Sequence, residues 1–239
     1  MEWYPSKKEE LNKLLESYLK EKPKVKTTKL HGLIVPHAGY EYSGEIAGKA
    51  YSLIKNKGFK KAVILGPSHY EGFYGTATLS KIQTPLGEVK IKNSANNMKP
   101  LSYEHSIENQ CPFLQFLGIN EITPIVVGNL FNDDAEKIAE RLTKQITKDT
   151  IIIISTDLSH FLPYTQAVQK DKNTIKIIES LNLNDFESLD ACGKFPLLIL
   201  FHLCKLKGNN WKPKLIEYKN SGDITGDKNS VVGYASFQF

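Results

Sequence analysis

The run Thr150–Ser155 constrains the fold more than any other segment: four consecutive isoleucines sit between a threonine and a serine. Successive side chains of a strand point to opposite faces, so this run needs apolar cover on both sides. It predicts a strand in the middle of a sheet, with helices above and below. Leu30–Val35, Ala62–Leu65 and Thr123–Val127 are shorter apolar runs of the same kind. Strands of this type alternating with amphipathic helices imply a mostly parallel sheet.

The helices are read from spacing. Leu11, Leu14, Leu15, Tyr18 and Leu19 share one helical face, with Ser6 and Glu9 fitting a capping box ahead of them and Pro23 ending the segment. Ser43 can cap a helix running to about Asn56 and closed by Gly58, after a loop over Pro36–Tyr42. Further helices are expected near His105–Leu117, Asp133–Ile146, Thr165–Leu181 and Phe195–Leu206. Thr84-Pro85-Leu86-Gly87 reads as a hairpin turn between Thr76–Gln83 and Glu88–Ile91. Lys214–Lys219 and Val231–Phe237 read as closing antiparallel strands. The expectation is a three-layer α/β fold: a mostly parallel central sheet, some antiparallel strands, and helices on both faces. No linker-like composition break, repeat or low-complexity tract appears, so residues 1–239 are read as one domain.

The net charge of +5 raises the question of nucleic acid. Arg141 is the only arginine, and the lysines are scattered rather than massed, which favours a solvated surface over a nucleic-acid face. No basic-then-apolar leader and no run long enough to span a bilayer occurs, so a cytoplasmic, membrane-free protein is expected. Cys111, Cys192 and Cys204 form no CxxC pair, which argues against a disulfide framework or a zinc ribbon.

Ligands of open α/β sheets bind beyond the carboxyl ends of the strands. Three of the six histidines follow strands in just those places: His37 after the first, His69 after the second, and His160 after the isoleucine run. His37 or His69 alone is better explained as a packed loop histidine. His37 and His69 at equivalent strand ends favour a shared metal or acid–base site. Asp157 and His160 have the spacing of a carboxylate orienting a proton-transferring imidazole, and equally of a turn cap beside a helix start. Glu104, His105 and Glu108 read either as cleft residues or as a charged helix start. Cys192, in Asp190-Ala191-Cys192-Gly193, is either a small buried apolar residue or a thiolate ligand. Cys111, Cys204, His31 and His202 read as structural.

Taken in order, Trp3-Tyr4-Pro5, Pro36-His37-Ala38-Gly39-Tyr40, Leu65-Gly66-Pro67-Ser68-His69, Thr84-Pro85-Leu86-Gly87, Glu104-His105-Ser106-Ile107-Glu108, Ser155-Thr156-Asp157-Leu158-Ser159-His160 and Ala191-Cys192-Gly193 resemble the Memo family. Each piece is short; the ordered set, spread over nearly the whole chain, is specific. The resemblance implies the fold of class III extradiol ring-cleaving dioxygenases. It matches His37 and His69 to the two metal histidines of those enzymes, and the third position to Cys192 rather than to a glutamate. Asp157 and His160 would then be catalytic or proton-handling groups, and Trp3, Tyr40, His105 and Glu108 cleft residues that meet a substrate. The implied cofactor is iron or copper, with zinc also compatible. The implied function is a metal-binding redox protein acting on an unknown small molecule or peptide, functionally linked to a radical SAM protein. The alternative is a non-catalytic peptide- or protein-binding module, and a dioxygenase is disfavoured by the missing glutamate.

Overall fold

The computed structural model describes residues 3–23, 25, 29–92 and 98–239. In chain order the elements are α1 (Lys8–Tyr18), β1 (Gly32–Val35), α2 (Tyr40–Tyr51), β2 (Lys61–Pro67), β3 (Thr76–Leu79), β4 (Gln83–Thr84), β5 (Gly87–Glu88), β6 (Lys90–Ile91), β7 (Lys99–Leu101), α3 (His105–Glu108) and α4 (Cys111–Phe116). They continue with β8 (Glu121–Val127), α5 (Asn132–Gln145), β9 (Thr150–Ser155), α6 (Tyr164–Ser180), α7 (Lys194–Lys207), β10 (Lys214–Asn220), α8 (Ser221–Thr225) and β11 (Gly233–Gln238).

The main sheet runs β10-β11-β1-β9-β2-β8-β3-β7, with β6 also pairing β8. Its centre, β1-β9-β2-β8, is parallel; β10, β11 and β3 supply antiparallel pairs. The isoleucine run therefore lies between β1 and β2. Its side chains alternate between two cores. Ile152 and Ile154 join Ile34, Val63 and Leu65 under apolar residues of α5, α6 and α7 such as Leu142, Ile178 and Leu197. Ile151 and Ile153 join Leu33, Val35 and Ile64 under α1, α2 and α4, where Leu15, Ala47 and Phe113 cover them. Each such isoleucine is fully buried, and truncating one to alanine costs about 2–5 kcal/mol. This is the mixed α/β architecture, with a mostly parallel sheet between helices, that the periodicity implied.

Several local expectations differ. The Ser6–Glu9 capping box does not form; Lys7 is the N-cap without a side-chain bond, and α1 ends at Tyr18, ahead of Pro23. The second helix starts at Tyr40 rather than Ser43, because the Tyr40 N–H is satisfied from outside the helix by the Trp3 carbonyl at 2.8 Å. Ser43 instead donates back to the Ala38 carbonyl at 3.0 Å. The helix expected near His105–Leu117 breaks at Asn109 and Gln110 into α3 and α4. Pro112 in the first turn of α4 has no N–H to continue the ladder. Around Thr84–Gly87 only β4 and β5 pair as a hairpin, while β6 leaves it to pair with β8.

Candidate metal site

The parallel register brings the carboxyl ends of β1, β9, β2 and β8 side by side: Val35 pairs with Ser155, Leu65 with Ile154, and Pro67 with Val127. The loops that follow converge on a cavity of about 490 Å³, lined in part by Trp3, His37, His69, His105, Asp157 and His160.

His37 is held from every side. Its backbone N–H donates to Asp157 Oδ1 at 2.8 Å, and its carbonyl accepts from Asn109 Nδ2 at 2.7 Å. Gln110 Nε2 fixes the preceding Pro36 carbonyl at 3.0 Å, which is where the break between α3 and α4 finds its use. The ring Nδ1 lies 2.9 Å from Ser155 Oγ, leaving Nε2 toward Cys192 Sγ at 3.3 Å and Asp157 Oδ2 at 4.0 Å. His37 is buried, and that burial, reinforced by the nearby imidazoles of His69 and His105, drives its pKa well below the usual histidine value. It is neutral at pH 7, the form that ligates metals.

His69 is held by one residue. Glu104 Oε2 accepts its backbone N–H at 2.7 Å, and Oε1 meets its Nδ1 at 2.9 Å. Burial opposes charge on Glu104, but the imidazoles of His105 and His69 and the backbone N–H groups of His69 and Ser106 outweigh it and hold the carboxyl far below its ordinary range. A carboxylate on Nδ1 leaves Nε2 as the outward ligand atom, the arrangement in which second partners orient metal-binding histidines. Gly66 makes this reach feasible: a Cβ there would meet Ser106 Oγ at 2.4 Å, so only glycine lets the start of α3 come this close to β2.

His105 completes a trio. One ring nitrogen from each of His37, His69 and His105 lies within 4.8 Å of the others. The His105 ring stacks on Trp3 at 4.3 Å between centroids, and its buried Nδ1 has no hydrogen-bond partner, lying 3.3 Å from Glu104 Oε1 without alignment. Three imidazoles converging on one spot, one of them with an unpartnered nitrogen, fit a borderline metal such as copper, zinc or ferrous iron.

Cys192 is not among the three, but adjoins them through His37. Its Sγ accepts the Asp157 N–H at 3.2 Å. Burial, seconded by the Asp157 carboxylate, pushes the thiol above its ordinary pKa. Gly193 is required beside it, since a Cβ would lie 2.4 Å from Thr156 Cβ, and its N–H donates to Thr156 Oγ1 at 2.8 Å.

The other sequence candidates are placed as follows. Asp157 serves His37; among the described residues no hydrogen bond joins it to His160, and burial raises its carboxyl pKa. His160 lines the cavity from the loop ahead of α6 and its ring meets Phe161 edge-on at 5.7 Å. Trp3 lines the cavity and donates to Tyr103 Oη at 2.7 Å. Tyr40 lies beneath the loop, buried, with its hydroxyl donating to the Asn109 carbonyl at 2.7 Å. Glu108 is half-buried outside the cavity lining, and burial pushes its carboxyl up to about 7. Neither Tyr40 nor Glu108 is brought to the cavity wall. Sequence reasoning missed Phe161, 75% exposed with φ of 57° on the cavity wall. It also missed Glu104 as the anchor of His69, and Asn109, Gln110 and Ser155 as anchors of the His37 loop.

A family model described as "Memo-like protein" matches residues 2–238. The chain belongs to the Memo family. A MEMO1 family protein of Sulfolobus acidocaldarius is 35% identical over 95% of this chain and 88% of its own length. One from Aquifex aeolicus is 34% identical over 99% of this chain and 96% of its own length, and one from Thermoplasma volcanium 33% identical over 98% and 94%. Family membership thus rests on both the family model and these relatives, whose names assign them no metal or reaction. Among the described residues no helix is long and apolar enough to cross a membrane.

Proposed function

We propose that this Memo-family chain binds a transition-metal ion, iron or copper, between His37 and His69 and uses it in redox chemistry on a small molecule or peptide held in the cavity. The observation that carries the reading is the convergence of the His37, His69 and His105 ring nitrogens within 4.8 Å of one another. Ligand bonds of about 2.0–2.3 Å put the donors of one ion roughly 3–4.5 Å apart, close to that spacing. His105 and Cys192 are the two candidates for further ligands: one belongs to the trio, and the other lies 3.3 Å from His37 Nε2. A thiolate favours copper or zinc, whereas three imidazoles suit iron as well.

A bound redox ion would supply one-electron chemistry. The protein's own groups do the rest. Ser155 and Glu104 orient the two imidazoles, Asp157 fixes the His37 backbone, and His160 stands at the cavity wall where a proton can be passed to a ligand. Trp3 and Phe161 offer flat apolar surface to the molecule that enters. Phe161 also favours a second reading, a binding module without turnover: a bulky side chain held exposed at positive φ is a costly feature that a docking contact would explain.

Anaerobic purification with metal analysis, followed by a screen of reductants and catechol-type substrates, separates the two. Metal with turnover supports the redox reading. Metal-free protein that still binds a peptide supports the module, and absence of metal after reconstitution with both copper and ferrous iron removes the first reading altogether.

A further inference from the structure

The opposite edge of the sheet holds a second cavity, of about 570 Å³, a size typical of small-molecule pockets. It opens where β1, β2 and β9 begin, beside the end of α7, and shares no residue with the histidine cleft. One wall is aromatic. His31 stacks on Trp211 with centroids 4.3 Å apart and planes at 16°, and Phe59 adds a partly exposed ring. The rim is cationic. Lys29, Lys57, Lys148 and Lys207 line it, all exposed, and among the described residues none of the four is in an ion pair. Lys207 Nζ stands 5.8 Å from the centre of the Trp211 ring and 3.5 Å from the Thr143 carbonyl.

The described lining contains no carboxylate. Asp149, next to it in sequence, is engaged by the Thr147 hydroxyl and by Lys61 at 3.8 Å. His31 Nε2 is buried with no hydrogen-bond partner among the described residues, so a polar atom of the wall is left unsatisfied. Four uncompensated ammonium groups around one concavity concentrate anions of more than one charge. Lysine binds phosphate as a point charge, and flat rings take the face of another flat ring. Neither an acidic protein surface nor a bare anion uses both halves of the site.

We propose that this cavity binds a nucleoside polyphosphate, its phosphates among the four lysines and its base against His31 and Phe59. The ligand class follows from the pairing of a cationic rim with an aromatic wall in a space of small-molecule size.

The test is calorimetric titration of the full chain, stripped of metal by chelator, in magnesium-free buffer of low ionic strength, with ATP as the probe. One saturable site is expected, weakening as salt is added. Tripolyphosphate should bind about tenfold more weakly for want of the ring, and adenosine should give no measurable heat. Lys57→Ser/Lys148→Ser, checked for an unchanged melting curve, should weaken ATP by about tenfold. His69→Ala, across the sheet, should leave ATP binding as it was. Absence of a saturable site overturns the proposal, and so does ATP binding that survives the lysine changes or is lost with His69. Tripolyphosphate binding as tightly as ATP overturns the assignment of the ring wall, leaving a simple anion site.

Discussion

At the carboxyl edge of β1, β2 and β9, His37, Glu104 and Asp157 are buried and tied to backbone or to neighbouring side chains; at the amino edge the second cavity is rimmed by four exposed lysines with no ion partner among the described residues. At the first edge, geometry is fixed before any ligand arrives, and ring nitrogens of three histidines gather at one spot. At the second, charge is fixed but position is not, since a lysine stem is long and its ammonium free to turn. On the two proposals above, one sheet carries a coordination site and an electrostatic site at opposite edges, with no lining residue in common. Substitutions at the first edge should act through lost preorganisation, and at the second through screened charge.

The largest expected break in that contrast comes from His37→Ala or His69→Ala. Removing a ligand should cost more metal affinity than the roughly 10–100-fold typical of outer partners, measured by chelator competition. Gln in place of Glu104 comes next, because His69 loses its orienting charge. Metal affinity should fall by about 10–100-fold with the ligands intact. The same substitution carries a pH signature. The Glu104 carboxyl is depressed in the fold, so its contribution to stability is present above the ordinary carboxylate pKa of about 4.3 and is lost as pH falls from there through the depressed value. Denaturant midpoints of wild type and Glu104→Gln should therefore converge on acidification; a constant gap between pH 7 and the acid range would show that the charge on Glu104 is not what stabilises the loop.

Gly193→Ala tests the tightness of the same edge. The added methyl meets Thr156 and the Ser155 carbonyl, and overpacking of that kind costs about 1–3 kcal/mol, readable as a lower melting temperature. His160→Ala should be milder still for stability and for metal content, with its effect confined to turnover of a reductant; loss of metal instead would make it a ligand. Smallest of all, Lys57→Ser should move stability by no more than about 0.5 kcal/mol, since an exposed lysine with no ion partner among the described residues holds nothing in place.

The layers of the fold were legible because burial on two faces writes itself into the strands: the isoleucine run needs no distant information to be read. His37 and His69 were legible for a related reason, since strand ends mark the cleft. What was not legible depends on residues far apart in sequence. Nothing local to Glu104 says that it holds His69, and nothing local to Asn109 and Gln110 says that they end a helix in order to hold Pro36 and His37. His105 was read as a cleft residue, and only three-dimensional closure puts its ring nitrogen with the other two. The aromatic wall at the amino edge was hidden similarly, because His31 and Trp211 meet across most of the chain.

The central claim, that His37 and His69 hold one ion, is tested most directly by metal reconstitution. Chelator-stripped wild type, His37→Ala/His69→Ala, His105→Ala and Cys192→Ser are each loaded with copper or, anaerobically, with ferrous iron, desalted, and assayed for bound metal per chain. The prediction is one ion per chain in wild type, none retained in the double variant, and retention with weakened affinity in His105→Ala and Cys192→Ser. Equal metal content in wild type and the double variant, with all four melting alike, would contradict it.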